Sequence, residues 1–98
     1  MRQIIHIDLD LKDLIPGYLK SRENDLRLLR DALSVGDFKL IEVVAHKIKG
    51  SAGGYGFELL GAIGDQLEST AKSKEKSEIE NLLQSMQQYL EKIDVRYR

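Results

Sequence analysis

Apolar residues recur at helical intervals through most of this chain, and that pattern constrains the fold more than any other feature. Phe38, Ile41, Ala45, Ile48, Ala52 and Tyr55 are spaced 3, 4, 3, 4 and 3. This spacing lines one side of an α-helix and predicts a helix from about Asp37 to about Gly53. An earlier stripe comprises Ile15, Tyr18, Leu19, Leu26, Leu29 and Leu33, with Arg22 in its one polar gap. Pro16 suits a first helical turn. Ser34-Val35-Gly36-Asp37 ends that helix, with Gly36 suited to a C-terminal cap and Asp37 to the next N-cap.

Gly53-Gly54 interrupts the pattern. Phe57, Leu60, Ile63, Leu67 and Ala71 then define a third stripe, starting near Gly56. Gly61 and Gly64 lie inside it and predict close approach to a neighbouring helix. The polar run from Lys72 to Lys76 reads as a loop or solvated helix end. A fourth helix is predicted from about Ser77 to about Asp94, on Ile79, Leu82, Leu83, Met86, Leu90 and Ile93, with Tyr89 at the margin. Ser77 and Glu80 have the spacing of a capping box, and Glu78 suits the helix dipole.

Four amphipathic helices with short connections predict an all-α fold, an antiparallel four-helix bundle. Ahead of it, Ile4 to Leu11 partly alternates apolar and polar residues, which predicts an extended strip. No second β-branched run follows, so no strand partner is expected. The expectation is an extended or short helical arm over 1–12, laid on a bundle over 13–98. With 98 residues, this makes one domain.

Composition narrows the function. Fifteen Lys+Arg balance 16 Asp+Glu, for a net charge of -1, without the basic excess of a nucleic-acid or anionic-membrane binder. The chain has no Cys, which excludes disulfides, thiolate metal sites and a cysteine nucleophile. No apolar run approaches the roughly 20 residues of a membrane span, and no signal peptide is visible where Met1-Arg2-Gln3 leads into a stretch broken by His6, Asp8 and Asp10. A cytoplasmic protein is expected, and the initiating Met1 with four helices suits a free-standing unit.

The informative stretch is Ala45-His46-Lys47-Ile48-Lys49-Gly50-Ser51-Ala52-Gly53-Gly54-Tyr55-Gly56. At about 100° per residue, the apolar stripe centres about 130° from His46. His46 therefore points largely to solvent, sharing its face with Lys39, Glu42, Val43, Lys49, Gly50 and Gly53. Lys49, at i+3, can reach an anion on the imidazole. Gly50, at i+4, is costly inside a helix; open access to the ring is one reason for it, and tolerance in helix packing is the alternative. Gly53 keeps the same face low one turn on. A rigidly mounted histidine with a clear approach and a nearby cation suits a nucleophile that accepts a phosphoryl group. It suits a metal site poorly, because His6 is the only other histidine. A Walker A loop is excluded, since Lys49 precedes the glycines and a helix precedes them both.

His46-Lys47-Ile48-Lys49-Gly50-Ser51-Ala52, followed by Gly56, resembles the pattern H-x-[LIV]-K-G-[SA]-[SA] of the histidine phosphotransfer (HPt) domains of bacterial multistep phosphorelays. Leu67-Glu68 is similar to a Leu-Glu on the family's following helix, and helix number and order agree along essentially the whole chain. The resemblance implies that His46 takes a phosphoryl group from the phospho-aspartate of a receiver domain, or of a hybrid sensor kinase, and passes it to another receiver. It implies that Lys49 stabilises the phosphoryl oxygens and that Gly50 leaves room for docking. Glu42, Lys47 and Gly53 are the candidate partner contacts. The response-regulator receiver would supply Mg²⁺, with no cofactor or metal on this chain. A monomeric phosphorelay intermediate without turnover of its own is expected, with no nucleic-acid or membrane partner. The alternative is a non-phosphorylated helical interaction scaffold that keeps the same fold, and phosphorylation of His46 separates the two.

Overall fold

Each predicted stripe forms a helix. The computed structural model describes residues 2–98, so Met1 of the expected arm lies outside the described residues. The helices are α1 (Ile15–Ser34), α2 (Phe38–Ala52), α3 (Glu58–Lys72) and α4 (Lys76–Lys92). Each packs on the next, and α4 closes back on α1. The stripes meet in a core that includes Leu29, Ile41, Ile48, Leu60, Leu67, Ile79, Leu83 and Met86, all fully buried. Tyr89, expected at the margin, is buried too, at 5% exposure.

The boundaries follow local chemistry. Pro16 sits in the first turn of α1, where its missing N–H costs no helical bond. The Asp37 carboxylate accepts from the Leu40 amide at 3.1 Å and caps α2. Gly53–Tyr55 forms a short 3₁₀ turn, and Gly56 follows at φ +97°. A side chain there would be strained, and a Cβ would also come within 2.7 Å of Ile7 Cδ1. The chain thus turns tightly over the arm before α3 begins.

Two expectations need correction. The arm is not a lone strip: β1 (Gln3–Ile7) pairs in parallel with β2 (Ile93–Tyr97), in a register that sets Gln3 against Ile93 and Ile7 against Tyr97. Helix α4 accordingly stops at Lys92, not near Asp94. Ile93 continues the phase of the α4 stripe and so reads as helix, but Ile93-Asp94-Val95-Arg96-Tyr97 also alternates. Pairing with β1 gives Ile93, Val95 and Tyr97 apolar neighbours against the core. The whole bundle serves as the crossover that a parallel pair requires. The second correction is at the start of α4, where Glu75 is the N-cap and makes no side-chain cap bond. The Ser77–Glu80 capping box does not form, because Ser77 is already inside the helix.

Arg22, the polar gap in the α1 stripe, ties α1 to α2. Its Nε lies 2.9 Å from Asp25 Oδ2, its Nη1 donates to Ser51 Oγ at 3.2 Å, and its guanidinium lies 4.6 Å from the centre of the Tyr18 ring. Tyr18 Oη and Ser51 Oγ share a further bond of 2.9 Å, and Tyr18 stacks on Tyr55 at 4.3 Å. This clamp holds α2 and the turn after it against α1, on the side of α2 turned away from His46.

Candidate functional site

His46 stands in the middle of α2 with its side chain 70% exposed, as its phase predicts. What surrounds it is set by the contact between α2 and α3. A Cβ on Gly64 would lie 2.8 Å from the Lys49 backbone nitrogen and 3.0 Å from the Ala45 oxygen. Only a glycine admits the α2 backbone this closely. Gly61, one turn earlier, faces Ala52 in ordinary contact at 3.6 Å. The close crossing carries the next residues of α3, Asp65 and Glu68, up beside His46 and Lys49.

Four side chains then form a connected chain. Asp65 Oδ1 lies 3.0 Å from Lys49 Nζ, and Lys49 Nζ lies 3.7 Å from Glu68 Oε1. The other oxygen of Glu68, Oε2, lies 2.9 Å from His46 Nδ1. Glu68 is mostly covered, with 14% of its side chain exposed, whereas His46 above it is open. A carboxylate only accepts hydrogen bonds, so Nδ1 is the donor in this contact, and in the neutral ring Nε2 is then the nitrogen with the lone pair. The Lys49 ammonium is held above the usual lysine range, first by its hydrogen bond to Asp65 and then by the charges of Asp65 and Glu68.

The other candidate residues fall into place unequally. Among the described residues, a Cβ on Gly50 would meet nothing within 4 Å, so the approach to His46 is unobstructed at i+4. Glu42 and Lys47 line a shallow depression of about 240 Å³ with Val43, His46 and Glu68. Glu42 pairs with Lys39 at 3.8 Å, not with His46. Burial raises the Asp25 carboxyl on α1, and the charges of Arg22 and then Lys47 oppose that rise. Gly53 is exposed at the start of the 3₁₀ turn and does not line the depression. The larger hollow of about 450 Å³, beside Arg2, Leu59 and Tyr89, shares no residue with it.

Sequence reasoning left two contributors without a role. Glu68 appears there only as half of a Leu-Glu pair, and Asp65 not at all. The available signal was a glycine on the apolar side of an amphipathic helix, with carboxylates one and four residues after it.

The family model of the Hpt domain matches residues 13–95. The chain belongs to the Hpt domain family. Membership implies histidine phosphotransfer within a phosphorelay, with receiver domains and kinases as the interacting class. No curated protein and no solved structure matches the chain. Among the described residues, no helix is long and apolar enough to cross a membrane. The Hpt match covers all four helices and the motif at His46, and its range ends inside β2.

Proposed function

We propose that this Hpt domain carries a phosphoryl group on Nε2 of His46, taking it from the phospho-aspartate of one receiver domain and giving it to another. The observation that carries this proposal is the 2.9 Å contact between Glu68 Oε2 and His46 Nδ1. In this reading that contact holds a proton on Nδ1 and leaves Nε2 as the nucleophile, on a side chain that is 70% exposed.

The Nε2 lone pair attacks phosphorus, the bond from phosphorus to the aspartyl oxygen breaks, and its electron pair returns to the receiver as carboxylate. The proton stays on Nδ1, so the ring becomes a phosphorylated imidazolium, and Glu68 balances that charge. Lys49 sits one turn away and offers its ammonium to the phosphoryl oxygens, where charge spreads in a loose transition state. Gly50 and the depression beside Glu42, Val43 and Lys47 leave room for the receiver. Transfer in the opposite sense follows the same path, so the domain is an intermediate and not an enzyme with turnover. In this proposal the chain acts as a monomer in the cytoplasm, and the Mg²⁺ that steadies the phosphoryl charge belongs to the receiver.

The test is incubation of the purified chain with receiver domains charged with radiolabelled phosphate. Label on wild type that is acid-labile and alkali-stable, and that His46→Gln abolishes, is the expected result. Failure of every receiver tested, with the chain folded, would leave the scaffold function in its place.

A further inference from the structure

Lys49 is already engaged in the unphosphorylated domain. Its Nζ is closest to Asp65 Oδ1, at 3.0 Å, with Glu68 Oε1 at 3.7 Å. Asp65 lies on α3 directly after Gly64, the residue of closest approach to α2, so its place opposite Lys49 is fixed by the helix crossing. A phosphoryl group on His46 Nε2 brings close to two negative charges to the same neighbourhood. One ammonium then has two anions to serve, and the phosphoryl group gains Lys49 only to the extent that Asp65 gives it up.

We propose that Asp65 is a positioning residue that competes with the phosphoryl group for Lys49 and so biases the transfer equilibrium away from phosphorylated His46. This inference rests on the phosphoacceptor role of His46. Glu68 differs from Asp65 in that it serves both partners at once, through one oxygen to the ring and the other toward the ammonium. Among the described residues Asp65 pairs only with the ammonium, so its charge is set against the loaded state alone. The Lys49 ammonium held up chiefly by Asp65 is in keeping with that contact. The side chains of Lys49 and Asp65 are 48% and 58% exposed, so the effect is that of one solvated charge pair, about three- to fivefold in an equilibrium constant. A domain with this device passes its phosphoryl group onward more completely than it stores it.

The experiment uses the full chain and a receiver that labels wild-type His46. Labelled phosphate is introduced in a fixed amount, transfer is run to equilibrium, and phosphohistidine is quantified against phosphorylated receiver. Asp65→Asn should shift the ratio about three- to fivefold toward His46, while Asp65→Glu should stay near wild type. In a Lys49→Met background, Asp65→Asn should have no effect on the ratio, because the competition runs through the ammonium. NMR titration of the Lys49 ammonium in the unphosphorylated chain should show its pKa falling in Asp65→Asn, which tests the contact without any transfer. An unchanged ratio in Asp65→Asn, or a shift that persists in Lys49→Met, would overturn the proposal. Lack of label on wild type would instead remove the phosphoacceptor role, and the NMR result would stand apart from it.

Discussion

Glu68 reaches both candidate residues of α2: its Oε2 is 2.9 Å from His46 Nδ1 and its Oε1 is 3.7 Å from Lys49 Nζ. One carboxylate on a neighbouring helix thus orients the ring and sits beside the cation. The stretch His46 to Ala52, which lies wholly on α2, does not contain this relationship. The packing of Gly64 against α2 creates it.

Substituting Glu68 separates its two contributions. Glu68→Gln retains an oxygen that accepts from Nδ1, so the ring keeps its orientation. It loses the charge that balances the imidazolium formed on transfer. Charge-assisted hydrogen bonds are about twice as strong as neutral ones, so transfer should slow by about tenfold. Glu68→Ala also frees the ring to rotate and should be slower again. Single-turnover transfer from a phosphorylated receiver measures both. Equal rates for Gln and wild type would show that Glu68 orients the ring without stabilising its charge.

Lys49→Ala tests the cation. The side chain is on the surface, so the variant should still fold, with at most the small loss of an exposed ion pair. Removing one electrostatic contact from a site open to water should slow transfer about tenfold, below the loss seen in closed sites. The pH dependence has a definite sign. Asp65 and Glu68 raise the Lys49 pKa above its ordinary value of 10.5, so its ion pairs stabilise the fold fully below that value. They are lost as the pH rises through the raised one. The Lys49 contribution to transfer should therefore be flat across neutral pH. A contribution that titrates near neutrality would assign the effect to another group.

Gly50 and Gly64 make opposite predictions from the same substitution. Nothing lies within 4 Å of a Cβ on Gly50, whereas on Gly64 it would be 2.8 Å from the Lys49 nitrogen. Gly50→Ala should raise stability by up to about 1 kcal/mol, the helix cost of glycine. Gly50→Gln should fold as well but transfer poorly, because its longer side chain rises into the approach to His46. Gly64→Ala must push α2 and α3 apart and should cost about 1–3 kcal/mol, as overpacking does. It should also slow transfer by drawing Glu68 away from His46. Thermal melts paired with transfer rates check all three. Loss of stability in Gly50→Ala would mean that the open face is covered in solution.

The four helices are legible because each stripe has enough apolar residues at one period to define its buried side. The exposure of His46 is legible for the same reason, since phase along one helix is a local property. Contacts between helices are not. The pairing of Glu68 with His46 depends on which turn of α3 meets which turn of α2, and the apolar stripes alone allow several registers. Gly64 selects one of them, and only the structure shows that its partner is the backbone at Ala45 and Lys49. The β1–β2 pair was hidden by an ambiguity in Ile93, which fits both the α4 stripe and an alternating strand. A strand whose partner lies nearly the whole chain away leaves no local trace of the pairing.

Tyr89 carries the last prediction. Its side chain is buried at 5% exposure, its hydroxyl has no hydrogen-bond partner among the described residues, and burial, with a smaller contribution from Tyr18, pushes its pKa up to about 12. An unpaired buried hydroxyl costs about 1–3 kcal/mol. Tyr89→Phe removes it while keeping the ring, and should raise stability by about 1 kcal/mol, or roughly 4–8 °C in Tm. The gain should grow with pH. In the unfolded chain the phenol ionises near its ordinary value of 10.0, but in the folded protein only near 12. Its raised pKa therefore gives stability that is fully present below pH 10 and lost as the pH rises toward 12. By pH 11 wild type should have lost about 1.4 kcal/mol that Tyr89→Phe does not lose. Urea denaturation of both proteins at pH 8 and pH 11 measures the difference, and other tyrosines and lysines cancel between them. If Tyr89→Phe is the less stable protein at pH 8, the hydroxyl is bonded in solution and its burial carries no penalty.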